Sequence, residues 1–174
     1  MIEVVEYYPA WPARAAAART ELVSRLPGLL AAIEHIGSTS VPGLAAKPVI
    51  DLMAAADLDR VTGHDETLSD LGYQRYDTGM VGRLFYFRDQ HARRTCHLHV
   101  VPLDTWSTRN ERLLRDYLRE HPADVARYAE LKRRLAGQHA DSAGYTKAKT
   151  KLIQELTDRA RAGRGLPPVP VWEE

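Results

Sequence analysis

Two apolar runs joined by a loop of small residues frame this chain. Residues 29–36 are largely apolar and stop at Gly37; Ser38, Thr39, Ser40, Val41, Pro42 and Gly43 follow; residues 49–56 are apolar again, with one acid, Asp51, near their start. The pattern predicts a strand, a hydrogen-bonding turn and a strand. Such a turn suits phosphate, because glycine lets backbone N–H groups approach a ligand closely and a serine hydroxyl both donates and accepts. A short helical turn beginning at Ser38 or Ser40 adds unpaired N–H groups and partial positive charge. Lys47 and Asp51 then read as a phosphate cation and a metal seat on either side of the loop. The same letters also describe a plain strand connection, in which Ser38 and Ser40 bond local backbone and Asp51 is a cap.

Other phosphate and nucleophile motifs fail here. A P-loop has four residues between its glycines and then Lys-Ser/Thr, whereas five separate Gly37 from Gly43 and Lys47 is followed by Pro48. Neither Ser38 nor Ser40 has a glycine two places before and after it, which excludes a hydrolase elbow. A second constellation is Thr95-Cys96-His97-Leu98-His99-Val100-Val101-Pro102, where strand alternation puts His97 and His99 on one face and Cys96 and Leu98 on the other. Two imidazoles so spaced can chelate a metal, clamp an anion, or pair with carboxylates in a polar groove. Val101 stands where a histidine-triad hydrolase carries its third histidine. Structural zinc is not expected, since with one cysteine its ligands would have to come from His91, His97 and His99.

The remaining elements alternate. A first helix is expected from about Trp11-Pro12 to Leu26, and a second over 57–71, ended by Gly72. Residues 73–76, 83–87 and 95–101 read as three short strands of an antiparallel meander, separated by Gly79, Gly82 and the polar stretch 88–94. From Ser107 the pattern is helical, with breaks at His121-Pro122 and within 137–144, and it fades at Gly163. Domain boundaries are expected at 1–106 for the α/β core, 107–165 for helices packed on it as part of one domain, and 166–174 for an extended Pro-rich tail. At 174 residues and 44% apolar, the chain can bury about 70% of its unfolded surface, enough for a single core. A lone cysteine, no basic-then-apolar leader and no long apolar run point to a soluble cytoplasmic protein without a membrane partner. Residues 1–106 carry 10 basic and 13 acidic side chains, and 107–165 carry 14 and 8. That asymmetry describes either a cationic helical wall opposite the Gly37 loop, favourable for a polyphosphate ligand, or a pair of solvated helix faces, and a sequence pI near 7.9 argues against a general nucleic-acid binder.

The pair Gly37-Ser38 followed by Asp51 resembles the nucleotidyltransferase superfamily related to DNA polymerase beta, in which two acids spaced Asp-x-Asp hold magnesium. Met53 occupies the second acid position here and cannot bind a hard cation. A longer match runs from Tyr8-Pro9-Ala10-Trp11 through residues 37–51, His97-Leu98-His99-Val100 and the helical segment 114–122 to residues 128–132, Tyr145 and Lys149. Over that span the sequence resembles the GrpB family. The resemblance implies an α/β, nucleotidyltransferase-like mixed sheet of about five strands flanked by helices, with a C-terminal helical subdomain. GrpB-like domains also occur fused to dephospho-coenzyme A kinases.

The expected activity is nucleotidyl transfer from a nucleoside triphosphate to an unknown small-molecule or peptide acceptor. Gly37, Ser38 and Ser40 would take the phosphates, with Lys47, Arg115, Lys132, Tyr145 and Lys149 as further binding residues. Asp51 would hold Mg2+, and His97 or His99 would orient or deprotonate the acceptor. The alternatives are a nucleotide- or coenzyme-metabolite-binding module without catalysis, favoured by Met53, and an ATP-using ligase on the same scaffold.

Overall fold

Five strands form one mixed sheet in the computed structural model, which describes residues 3–136 and 142–171. In chain order they are β1 (Ala32–Ile36), β2 (Ile50–Ala55), β3 (Tyr73–Arg75), β4 (Leu84–Gln90) and β5 (Arg93–Val101), and their spatial order is β1-β2-β5-β4-β3. Only β2 and β5 run parallel; β1–β2, β5–β4 and β4–β3 are antiparallel. The meander expected for the last three strands is therefore present, and its final strand returns to the centre of the sheet beside β2. Central position explains the composition of β2, where Leu52, Met53, Ala54 and Ala55 are all fully buried.

By contact, the described residues divide into two compact units interleaved in sequence. A sheet unit comprises Pro9–Ser40 and Val49–Ser107; a helical unit comprises residues 3–8, Val41–Pro48 and the described residues from Thr108 onward. Residues 3–8 and Val41–Pro48 thus group by contact with the C-terminal helices.

In the sheet unit, helix α1 (Trp11–Arg25) starts with proline in its first turn and presents Trp11, Ala15, Ala18 and Leu22 as one buried stripe. It packs on β1 and β2. Arg88, opposite Cys96 in the register, donates to Glu21 of α1 at 2.7 Å, so α1 covers the face bearing Cys96, Leu98 and Leu52. His97, His99 and Asp51 are consequently on the other face. The single helix expected over 57–71 is two, α2 (Leu58–Thr62) and α3 (Asp65–Asp70). Asp57 caps the first by accepting from the Arg60 N–H. Its last carbonyls are then taken by side chains, the Thr62 hydroxyl on Asp59 and the His64 ring on Arg60, which competes with continuation of the helix.

The polar stretch 88–94, expected to separate strands, is strand on both sides of a two-residue turn. His91 and Ala92 both have positive φ, at 50° and 58°, and Gln90 pairs with Arg93 across them. This is the left-handed hairpin geometry usually written Asn-Gly, here built from residues that give no such signal.

In the helical unit, α4 (Asn110–Glu120), α5 (Pro122–Ala136) and α6 (Ser142–Ala162) bury Leu118, Val125, Tyr128, Ala129, Leu152, Ile153 and Leu156 against Val41, Leu44 and Ala45. The break at His121-Pro122 is where it was expected, and α6 ends just before Gly163; of the break expected within 137–144, residues 137–141 lie outside the described residues. The tail is fastened to α6. Arg161 donates to the Pro167 carbonyl, and Gln154 bonds both the Val169 carbonyl and the Val171 N–H. Among the described residues no helix is long and apolar enough to cross a membrane.

Two glycines allow a direct test of the turn. Gly37 has φ +71°, and a Cβ placed there would lie 2.5 Å from Asp51 Oδ2; Gly43 has φ +80° with nothing near. Gly43→Ala should cost about 1–3 kcal/mol from its left-handed backbone. Gly37→Ala should cost visibly more by denaturant titration, because the methyl also displaces a carboxylate; equal costs would contradict this packing. Burial raises the Cys96 thiol to about 11. The native protein at pH 8 should therefore react with an aromatic disulfide reagent only as fast as it opens, and stoichiometrically once unfolded.

Candidate catalytic centre

The centre is assembled by register. Asp51 on β2 is the neighbour of His97 on β5, Met53 is the neighbour of His99, and on the other side Ile36 and Glu34 of β1 stand opposite Asp51 and Met53. On β4, Phe87 and Phe85 oppose His97 and His99. Because paired residues share a face, one acid and two imidazoles converge at the middle of the sheet. At the end of β1 the chain leaves through Gly37 into a 3-10 turn, Ser38–Ser40, the short helical turn anticipated after the glycine. The close approach of Gly37 to Asp51 puts this turn directly beside the acid.

His97 Nδ1 lies 2.9 Å from Asp51 Oδ1, and Arg94 reaches His97 Nε2 at 3.3 Å. A guanidinium only donates, so Nε2 is the acceptor and the Nδ1–H donates to Asp51. By the same argument His99 accepts at Nδ1 from Arg83, at 3.3 Å. Phe85 lies against both rings, with centroids 5.1 Å from each, and fixes their tilt. One ligand-capable atom from each of Asp51, His97 and His99 lies within 4.8 Å of the other two. Desolvation alone would raise the Asp51 carboxyl, but the His97 hydrogen bond and the electrostatic influence of His97, His99 and His35 outweigh it and hold its pKa below the ordinary value. The site thus favours a carboxylate anion that is still about a quarter exposed.

The two serines of the turn differ. Ser40 is buried, and both its N–H and its hydroxyl bond to the Gly37 carbonyl, the local bonding of a plain connection. Ser38 is partly exposed, and Thr39 bonds His35 Nε2 at 2.8 Å. The remaining predicted residues, Lys47, Arg115, Lys132, Tyr145 and Lys149, all belong to the helical unit. There Lys47 and Lys149 place their ammonium groups 4.8 and 5.0 Å from the centroid of the buried Tyr145 ring. Lys132 is buried, donates to the Ala45 carbonyl at 3.1 Å and lies over Tyr128. Arg115 is buried beside Asp116 at 2.8 Å. Trp106 packs on Ile36, Met53 and Val101, and Trp11 is in the core.

Sequence reading missed Arg83, Arg94, Phe85 and Glu34. Alternation along β1 and β4 would have put Glu34 and Phe85 on the site face once the strand pairing was known. The arginines carry no such signal.

The family model for GrpB protein matches residues 1–159. A UPF0157 protein of Pseudomonas aeruginosa is 40% identical over 92% of this chain and 68% of its own length, and the UPF0157 protein YqkA of Bacillus subtilis is 39% identical over 75% of this chain but only 38% of its own. The crystal structure of conserved protein GrpB from Enterococcus faecalis superposes with a TM-score of 0.87 at 33% identity, covering 94% of this chain and 99% of that one. The sheet and helices described above are thus the α/β, nucleotidyltransferase-like fold of that structure. On sequence and on fold together, the chain belongs to the GrpB family.

Proposed function

We propose that the sheet unit is a nucleotidyl-transfer centre, in which a nucleoside triphosphate docks on the turn after β1 and an acceptor attacks its α-phosphorus. One observation carries the reading: the Gly37 turn lies against Asp51, which is itself bonded to His97 and clustered with His99. Phosphate binding and acid–base groups therefore meet within one sheet face. The Gly37 and Ser38 amides and the Ser38 hydroxyl are the phosphate donors, and Ser40 keeps the turn closed. Arg83 and Arg94 add positive charge beside the imidazoles. In the step, the acceptor forms a bond to the α-phosphorus, the bond to the bridging oxygen breaks, pyrophosphate leaves, and the acceptor's proton passes to the cluster.

Within the cluster of Asp51, His97 and His99, magnesium has one oxygen ligand, Asp51, for the other two donors are imidazoles and the second acid position is the fully buried Met53. That feature favours the second reading, a nucleotide-binding module on the same turn without transfer.

Incubating the protein with each nucleoside triphosphate and divalent cations across a panel of alcohol, amine and peptide acceptors should release pyrophosphate with at least one combination. Asp51→Asn should abolish that release. Binding of a triphosphate without release across the panel would select the module instead. Ser38→Ala should weaken triphosphate affinity by about 1–3 kcal/mol, read by calorimetry, if its hydroxyl holds a phosphate oxygen. An unchanged affinity would return the turn to a structural role.

A further inference from the structure

We infer that Asp51, His97 and His99 together form a site for one divalent transition-metal ion of the manganese-to-zinc series. The inference deepens the reading of this face as catalytic, but its test needs no nucleotide. The donor set is one carboxylate and two imidazoles, with atoms from all three within 4.8 Å of one another. Ligands on a common ion with bonds of about 2.1 Å lie roughly 3–3.5 Å apart, so the set closes by about an ångström of side-chain movement.

The backbone that carries the donors needs no change. Asp51 and His97 are register neighbours on the parallel pair β2–β5, His99 is two residues along the same strand, and Phe85 packs on both rings. Imidazole is a poor ligand for magnesium and calcium and a good one for manganese, iron, cobalt, nickel and zinc. Met53 adds no oxygen donor where a hard-cation site would have one.

Two guanidinium groups stand in the way, and they make the inference specific. Arg94 and Arg83 each sit 3.3 Å from a ring nitrogen, on His97 and His99. The His99 lone pair at Nδ1 faces Arg83, the His97 lone pair at Nε2 faces Arg94, and the His97 Nδ1–H faces Asp51, so metal binding displaces both arginines or, if His97 ligates through Nδ1, expels the proton it donates to Asp51. A metal ion must compete with these like charges, whereas a purely structural Asp–His–Arg network would lose cohesion without them.

The test uses the full chain stripped with chelator and titrated with Co2+, whose visible d–d bands report coordination. One equivalent should develop bands that Zn2+ displaces stoichiometrically and a large excess of Mg2+ does not. Asp51→Asn, His97→Ala and His99→Ala should each weaken binding by roughly tenfold or more, and His99→Gln should do the same if the alanine variant fails to fold. His91→Ala, at the β4–β5 turn, should leave the titration unchanged, and Arg94→Ala should hold or tighten it. Absence of bands, competition by Mg2+ as strong as by Zn2+, or full binding in the folded His97 and His99 variants would overturn the inference. Metal binding without pyrophosphate release leaves this site standing and defeats only the transfer reading; release with no metal bound at these residues does the reverse.

Discussion

The parallel pairing of β2 with β5 is the constraint from which the site follows. It makes Asp51 the neighbour of His97 and Met53 the neighbour of His99, and the antiparallel partner β1 then delivers the Gly37 turn to the same acid. A one-residue slip of β5 would turn both imidazoles toward α1 and put Cys96 and Leu98 in their place. Burial guards against that slip: Leu52, Leu98 and Val100 are fully buried, so their displacement would expose several core side chains at roughly 1.5–3 kcal/mol each.

Within this frame the acid and the bases shape one another. Burial disfavours charge on Asp51, yet the His97 hydrogen bond and the neighbouring imidazoles more than compensate, and the carboxylate is kept. The Asp51–His97 bond in turn orients the ring, so that one nitrogen faces the acid and the other faces Arg94. Gly37 matters for the same reason: any side chain there would occupy the space of the Asp51 carboxylate.

Much of the sheet was legible because apolar runs and alternation are direct records of burial. The five strands came from such signals, and the helix start at Trp11-Pro12, the break at His121-Pro122 and the end at Gly163 came from proline and glycine. Two local readings failed where side chains override pattern. Thr62 and His64 terminate α2 by bonding its carbonyls, and His91 with Ala92 makes a left-handed hairpin without glycine. Asp51, His97 and His99 could be named because each is a polar residue on an apolar strand. Arg83 and Arg94 could not, since an arginine near a strand end is ordinary until the pairing shows what it faces. Lys132 reads alike in sequence as a phosphate ligand or as a buried tie; the coordinates put its ammonium on the Ala45 carbonyl.

The central claim is that polyphosphate docks on the turn between β1 and β2. Backbone amide shifts of the isotopically labelled protein, followed as a non-hydrolysable triphosphate is added, test it most directly. The account requires the largest shifts at Gly37, Ser38, Thr39 and Ser40, with accompanying changes at the ring nitrogens of His97 and His99. Saturable shifts confined to Lys47, Tyr145 and Lys149, with the turn silent, would contradict it.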